Sequence, residues 1–257
     1  MDRPTISVVV IAKNEADRIG RLLAGTAFAD EVIVVDSGST DDTRALCAGH
    51  GARVVEKEWA GYAAQKQFAM EQAGSEWVLN LDADETVPES LAREMIEAVK
   101  QAPASVSAFS MPRLSWYLGR WIRHGGWFPD RKVRLVRRGK GRWIGDGLHE
   151  QLMADGDVFQ LTRPMHHFVY RNLFDQVATI NRFSGLGAKE RGATGGWYVV
   201  AGLFHAMGKF LECYVWKLGL LDGLAGLVIA VNSAFYVFLR HAKSWELGMT
   251  EDGPTAA

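Results

Sequence analysis

Within the first hundred residues, short runs rich in β-branched side chains alternate with stretches of helical periodicity. The strand-like runs are Ile6–Ala12, Glu31–Asp36, Arg53–Glu56 and Glu76–Asp82. The helix-like ones lie near Glu15–Ala24, Asp41–His50, Tyr62–Ala73 and Pro88–Gln101. No other feature narrows the fold so far. Continuous apolar runs such as SVVVIA and VIVV suit strands buried on both faces, and β-α-β-α alternation implies a mostly parallel sheet flanked by helices, an α/β fold. In the turn SGSTDDT, Ser39 or Thr40 is placed to cap a helix whose first turn carries Asp41 and Asp42. Open sheets of this kind bind ligands beyond the carboxyl ends of their strands. Residues that follow each strand are therefore the first candidates for a site.

Composition sets the outer limits. The 257 residues suit one large domain, or one with a sizeable appendage, and 48% apolar content excludes wholesale disorder. With 29 basic against 30 acidic residues there is no general reason to expect nucleic-acid binding. Two cysteines, Cys47 and Cys213, exclude a disulfide scaffold and fit a reducing compartment. The apolar run before Lys13 is too short for a signal-peptide core, so an intracellular protein is expected. Charge is segregated, however. From Asp82 to Glu97 there are six acids and one base, Arg93; from Arg113 to Arg142 there are ten Lys or Arg and one acid, Asp130. Trp116, Tyr117, Trp121, Trp127 and Phe128 are interleaved with that basic stretch.

The last third changes character. Gly223–Leu239 holds seventeen consecutive uncharged residues between Asp222 and Arg240. A spanning helix needs about 20 apolar residues, so this run sits at the lower limit. Lys209, Lys217, Arg240 and Lys243, around Trp216 and Trp245, suit a lipid–water interface. The other readings are a helical pair packed on the core or on another subunit, and a true span.

Several catalytic motifs are absent. No strand is followed by G-x-G-x-x-G, no G-x-x-x-x-G-K-[ST] occurs, and Ser37 and Ser184 lack the glycine of a nucleophile elbow. His149-Glu150 begins like a zinc-protease helix, but Met153 stands where the second histidine belongs. What survives is Asp82-Ala83-Asp84-Glu85 at the end of the fourth strand. Residues i and i+2 of an extended segment point the same way. Asp82 and Asp84 would thus converge on one hard cation, or on a ribose and a cation, with phosphate oxygens completing the shell of Mg²⁺ or Mn²⁺. A D-x-D in a solvated loop is common by chance; its place at a strand's carboxyl end gives it weight. Asp36 ends the second strand, where it would accept hydrogen bonds from a ribose or base, or simply start the turn. Ser37 and Gly38 allow a ligand close to that backbone.

The runs SVVVIAKNEADRI, EVIVVDSGSTDDT, Gly61 with Gln65-Lys66, and WVLNLDADE together resemble the nucleotide-sugar half of family 2 glycosyltransferases. The later segments YLGRWIRHGGWFPDRKVRLVRRGKGRW, GLHE, HHFVYRN and LDGLAG…FYVFLR…WEL are similar to a narrower group, the bacterial lipopolysaccharide-core glucosyltransferases and their relatives. That resemblance implies a GT-A fold, an NDP-sugar donor, a divalent metal and inversion at the anomeric carbon. Carried over by position, it implies that Ala12, Asn14 and Glu15 border the nucleotide, with Asp36 and Ser37 at its base or ribose. Gln65 and Lys66 would sit near the base and phosphates, and Asp82, Ala83 and Asp84 would form the D-x-D, with Asp84 the stronger metal ligand. His149 or His167 would add to the metal set.

One departure concerns the base. Many family members carry a Glu-Asp pair in a region where this chain reads Gly147-Leu148-His149-Glu150. Glu150 is the expected general base, with Asp146 as its alternative. In the basic stretch, Trp127, Arg131, Arg134 and Arg137 are expected to meet the acceptor or the diphosphate, or else to form a solvated basic strand. On a regular strand KVRLVRR, Arg131 and Arg137 share a face and Arg134 points away. The expected organisation is a glycosyltransferase domain over 1–190, made of a nucleotide-sugar half (1–101) and an acceptor half (102–190), followed by a helical, membrane-associated region over 191–257. The expected activity is hexose transfer, glucose foremost, from a UDP-sugar to a lipopolysaccharide inner-core glycolipid, peripherally on the cytoplasmic face of the inner membrane. The alternatives are a polyprenyl phosphate or peptide acceptor, or a sugar-nucleotide-binding protein without activity.

Overall fold

A computed structural model of the chain describes residues 3–145 and 150–250. Its contacts divide the chain into two units, residues 1–113 with 130–167, and residues 114–129 with 168–257. This differs from the expected division. Residue 190 falls inside a helix, Leu173–Arg191, and the segment 114–129 from the middle of the chain belongs with its last third.

The first unit runs β1 (Ile6–Ala12), α1 (Ile19–Ala24), β2 (Glu31–Asp36), α2 (Thr43–Gly49), β3 (Arg53–Glu56), α3 (Tyr62–Glu71), β4 (Trp77–Asp82), β5 (Glu85–Thr86) and α4 (Glu89–Gln101). The strands then continue as β6 (Val106–Tyr117), whose last residues belong with β7 (Arg120–Ile122) to the second unit, and as β8 (Asp130–Arg137), β9 (Gly141–Ile144), β10 (Gln151–Ala154), β11 (Asp157–Gln160) and β12 (Met165–His167) in the first. The sheet order is β3-β2-β1-β4-β8-β6-β12-β5; the first four strands are parallel, and β8 is antiparallel to β4 and β6. This is the α/β, GT-A type of architecture.

Both faces of the sheet are buried, as the unbroken apolar runs require. Along β1, Ile6, Val8, Val10 and Ala12 join one core with Leu22, Leu91 and Met95 from the helices. Val9, between them, joins Ile33, Val35, Val78 and Met70 on the other side. Each such side chain, fully buried, contributes about 1.5–3 kcal/mol. Helix α4 shows how the pattern sets the packing, for it buries Leu91, Ala92, Met95 and Val99 along one stripe.

Two helix starts differ from the sequence reading. Helix α1 begins at Ile19 rather than Glu15, because Asn14 takes a left-handed φ of 55° and Glu15 O closes a turn onto Arg18 N and Ile19 N. Helix α2 is not capped by Ser39 or Thr40. Asp41 Oδ1 accepts from Thr43 N at 3.1 Å, while Ser39 Oγ is turned back to Asp36.

In β8 the expected alternation breaks. Against β6, Ser110 faces Val133 and Phe109 faces Leu135, which leaves Arg134 as the extra residue of a β-bulge. Val133 and Val136 consequently pack in the same core, three residues apart. The inserted residue reverses the parity between Arg131 and Arg137, so these two do not share a face.

The second unit contains the β6–β7 hairpin, where Trp116 pairs with Trp121, and three helices, α5 (Leu173–Arg191), α6 (Trp197–Leu211) and α7 (Gly223–Thr250). Its core joins Tyr117 and Ile122 to Ala225 and Ile229. Polar pairs pin the helices together. Tyr117 donates to Gln176 Oε1 at 2.7 Å, and Asn232 donates to the same oxygen. Lys243 donates to Asn181 and Ser184, and His205 meets His241 ring to ring at 3.0 Å.

Candidate active site

The carboxyl ends of β1, β2 and β4 form a row, because Ala12 pairs with Asp36 and Ile11 with Asp82. The loops beyond them are tied to one another. Asn14 N donates to Ser39 Oγ at 2.9 Å, Thr40 N donates to Asn14 Oδ1 at 2.8 Å, and Glu15 N donates to Thr43 Oγ1. Asp36 is fully buried, and its carboxylate accepts from Gly38 N, Ser39 N and Ser39 Oγ. It therefore starts and holds this loop. Next to it, Gln65 donates to Ser37 Oγ at 2.9 Å and to Lys57 O, leaving its buried Oε1 without a partner.

At the end of β4 the two aspartates have different surroundings. Asp82 is clamped by Lys66 Nζ at 2.7 Å on one oxygen and by Arg134 on the other. Burial alone would raise the Asp82 pKa, but Arg134 and Lys66 pull it far below the ordinary carboxylate range. Arg134 itself is buried and also binds Glu85 at 2.7 Å; burial opposes its charge, and the two carboxylates more than restore it. Glu85 accepts from Arg113 at 3.2 Å and from Asp82 N at 3.0 Å. Three cations, Lys66, Arg134 and Arg113, and the carboxylates of Asp82 and Glu85 thus tie the D-x-D turn together.

Asp84 lies outside that clamp. Its Oδ2 is 3.5 Å from His167 Nε2 and 3.5 Å from Arg18. The strands explain the meeting, because β5 pairs with β12 and puts Glu85 opposite His167. A carboxylate and an imidazole beside open phosphate positions fit a divalent cation that keeps several oxygen ligands from substrate and water. Among the described residues, no group of three or more His, Cys, Asp or Glu would hold a metal on protein ligands alone. Asp84 and His167 are the residues present that would hold such a metal.

Glu150 is brought to the same place. Its Oε1 is 3.4 Å from Lys66 Nζ, so one ammonium group joins the expected base to the D-x-D. Lys66 also sits 4.7 Å over the Trp143 ring, whose Nε1 donates to Asn80 Oδ1 at 3.0 Å. Val9, Ile11, Asn80, Asp82, Arg134 and Trp143 line a small hollow around Lys66. Asp146 and His149 lie outside the described residues.

The basic strand is only partly at the site. Arg134 is there because the bulge aims it at Asp82, where it serves the carboxylates rather than an acceptor. Arg137 pairs with Trp77 at the opposite end of β4, roughly 17 Å of strand from Asp82, and binds Glu76. Arg131 is exposed and donates to Leu161 O at 3.0 Å. Trp127 belongs to the second unit, where it stacks on Tyr117 with ring centroids 5.8 Å apart.

Sequence reasoning passed over Glu85, Arg113, Asn80 and Trp143. Two of them carried a signal. Asn80 is the single polar residue in the apolar run WVLNL, and Glu85 is a carboxylate directly after the D-x-D.

Residues 7–157 match the family model described as Glycosyl transferase family 2. The chain is 32% identical over 255 residues to the lipopolysaccharide core biosynthesis glycosyltransferase LpsC of Rhizobium meliloti, covering 94% of this chain and 92% of that one. It is 30% identical over 264 residues to an uncharacterized glycosyltransferase of Rickettsia bellii, covering 95% and 87%. Among solved structures, glucosyl-3-phosphoglycerate synthase from Mycobacterium tuberculosis, in complex with Mn²⁺, uridine diphosphate and glucosyl-3-phosphoglycerate, aligns with a TM-score of 0.49 and 19% identity. That alignment covers 68% of this chain and 75% of the other.

Proposed function

Because the chain belongs to glycosyl transferase family 2 and is a glycosyltransferase, we propose that it is an inverting, metal-dependent hexosyltransferase. It takes a hexose, glucose foremost, from a UDP-sugar and passes it to a lipopolysaccharide inner-core glycolipid at the cytoplasmic face of the inner membrane. The observation that carries this reading is the division of labour in the D-x-D. Asp82 has its charge countered by Lys66 and Arg134 at 2.7 Å or closer, whereas Asp84, among the described residues, meets only Arg18 and His167, each at a looser 3.5 Å. The similarity to LpsC over nearly the whole chain supports the acceptor class.

In this reading Asp84 and His167 would hold Mg²⁺ or Mn²⁺, which would supply positive charge for the diphosphate of the donor. Asn14, Glu15 and Ser37 border the nucleotide on the loops that Asp36 shapes. Glu150 takes the proton from the acceptor hydroxyl as that oxygen attacks the anomeric carbon from the face opposite the leaving group. Lys66 ties Glu150 to the D-x-D, so donor and base are positioned by one side chain.

The test is Asp84→Ala, read in two assays. Calorimetric titration with UDP is expected to lose its dependence on Mn²⁺, and glucose transfer to inner-core glycolipid is expected to disappear. A variant with wild-type transfer, or a wild-type enzyme unaffected by excess chelator, would overturn the metal assignment. Transfer to polyprenyl phosphate or to peptide, with none to the glycolipid, would overturn the acceptor.

A further inference from the structure

We propose that the outward face of α6 and the turn after it dock on an anionic lipid bilayer, with α6 lying along the interface and α7 held inside the helical unit rather than crossing the membrane. The proposal rests on the membrane-face location in the functional reading, and specifies which surface makes the contact.

Helix α6 is apolar yet almost uncovered. Gly202 is its only buried residue, fitted against the His241 ring. Trp197 is 77% exposed, Phe204 72%, Met207 61% and Leu203 56%. With Val200 and Leu211 they recur at three- and four-residue spacing, which is one continuous stripe along the helix. Isolated surface apolar residues are ordinary, but a contiguous stripe of this kind marks an interaction surface. Trp216 and Leu221 in the turn beyond, and Leu224 at the start of α7, are exposed as well.

Charge identifies the occupant. Over residues 114–129 and 168–250 there are ten Lys or Arg against five Asp or Glu, whereas the whole chain is nearly neutral. At the α6–α7 turn, Lys209 and Lys217 share Glu212, and Arg120 and the Arg123 backbone meet Asp222. Two uncompensated positive charges therefore flank Trp216 and the exposed leucines. An apolar stripe with tryptophan at its ends and a cationic rim complements lipid tails beneath anionic headgroups.

The geometry also separates lying on a membrane from crossing it. Helix α6 has fifteen residues, about 22 Å of rise, short of the roughly 30 Å hydrocarbon core. Residues Gly219–Met249 are long enough to cross, and an 18-residue stretch among them reaches a mean hydropathy of 1.7. However, α7 is bonded to its neighbours through Asn232–Gln176, Lys243–Asn181 and His241–His205. Those partners sit on α6 and on α5, and α5 carries Arg182, Lys189, Glu190 and Arg191. Crossing would either strand these polar groups in hydrocarbon or draw the charges of α5 in after them. Part of the apolar surface of α7 is used in packing, where Ala225 and Ile229 close on Tyr117 and Ile122, while Leu224, Val231 and Phe235 stay exposed.

The test uses the full chain in co-sedimentation with extruded vesicles, either phosphatidylcholine alone or phosphatidylcholine mixed with phosphatidylglycerol. The wild type is expected to bind the anionic vesicles, to bind less at high salt, and to be released by alkaline carbonate. The triple variant Leu203→Ser, Phe204→Ser, Met207→Ser is expected to lose at least about tenfold in vesicle affinity, because each removed side chain forfeits a buried apolar contact. Its thermal unfolding and UDP-sugar hydrolysis should match the wild type. Equal vesicle binding by wild type and variant, or resistance of the wild type to carbonate, would overturn the proposal. So would a wild-type dimer in ultracentrifugation that the triple variant abolishes, since a second copy would then cover the face. Vesicle binding is read without substrate. A chain that binds vesicles but turns over no UDP-sugar therefore supports this inference and overturns the functional one.

Discussion

Replacing Arg134 by methionine removes the cation on which the D-x-D turn is built while keeping much of its volume. In the native protein the Arg134 guanidinium is buried and contacts both Asp82 and Glu85. Removing one partner of a buried ion pair costs about 3–5 kcal/mol, because the other charge is left behind without water. Asp82 keeps Lys66 and Glu85 keeps Arg113, so the lower end, about 3 kcal/mol, is the expected loss at neutral pH. With a urea slope of about 1–3 kcal/mol/M, the unfolding midpoint should fall by roughly 1–3 M. The pH dependence follows from Asp82, whose folded-state pKa is depressed well below the unfolded value of about 3.9. A depressed carboxylate contributes stability that is complete above the unfolded pKa and is lost as pH falls toward the folded one. The gap between wild type and Arg134→Met should therefore be full at pH 7 and shrink below about pH 4. Urea titrations by tryptophan fluorescence at several pH values measure it. A loss under about 1 kcal/mol at pH 7, or a gap of equal size at pH 3, would refute the argument.

Other outcomes follow from the same coordinates. Glu150→Gln keeps shape but loses the proton acceptor, so kcat should fall by about 10²–10⁴-fold while UDP binding, followed by calorimetry, stays within about twofold. Cys47 is fully buried, and burial together with Asp36 pushes its thiol up to about 11. At pH 8 it should react with a chromogenic disulfide reagent only after denaturant is added. In Gly226→Ala the new methyl group would stand 1.8 Å from Gly219 O, a contact that the start of α7 must move to relieve. A loss of about 1–3 kcal/mol in urea unfolding is expected, and a neutral variant would show that this helix start yields freely.

The strands of the nucleotide-sugar half were legible because burial on both faces leaves an unbroken apolar signature, and the observed β1, β2 and β3 have the bounds read from sequence. Helix starts were less legible. The left-handed turn at Asn14 and the turn that Asp41 closes onto Thr43 N depend on the neighbouring loop, which no local pattern records. The bulge at Arg134 was invisible for a sharper reason. KVRLVRR reads as a regular strand, and only the partner β6 reveals that one residue is unmatched, which moved Arg134 into the site and split Arg131 from Arg137. Glu85 and Asn80 were overlooked because each looks ordinary in isolation and gains meaning from Arg134, Arg113 and Trp143. Trp127 was assigned by composition to the acceptor, but its position between Tyr117 and Tyr170 is a matter of tertiary packing.

The discontinuous second unit has a consequence for biosynthesis. Tyr117 and Ile122 leave the ribosome roughly a hundred residues before Ala225 and Ile229, the side chains that cover them. At about 5–20 residues per second this interval lasts roughly 5–20 s. During it the nucleotide-sugar strands have all been made, while the aromatic hairpin remains a sticky, unshielded nascent segment. Chaperone dependence should accordingly be set by elongation speed across α5 and α6. Slowing translation there with rare codons would lengthen the exposure without changing one atom of the finished enzyme.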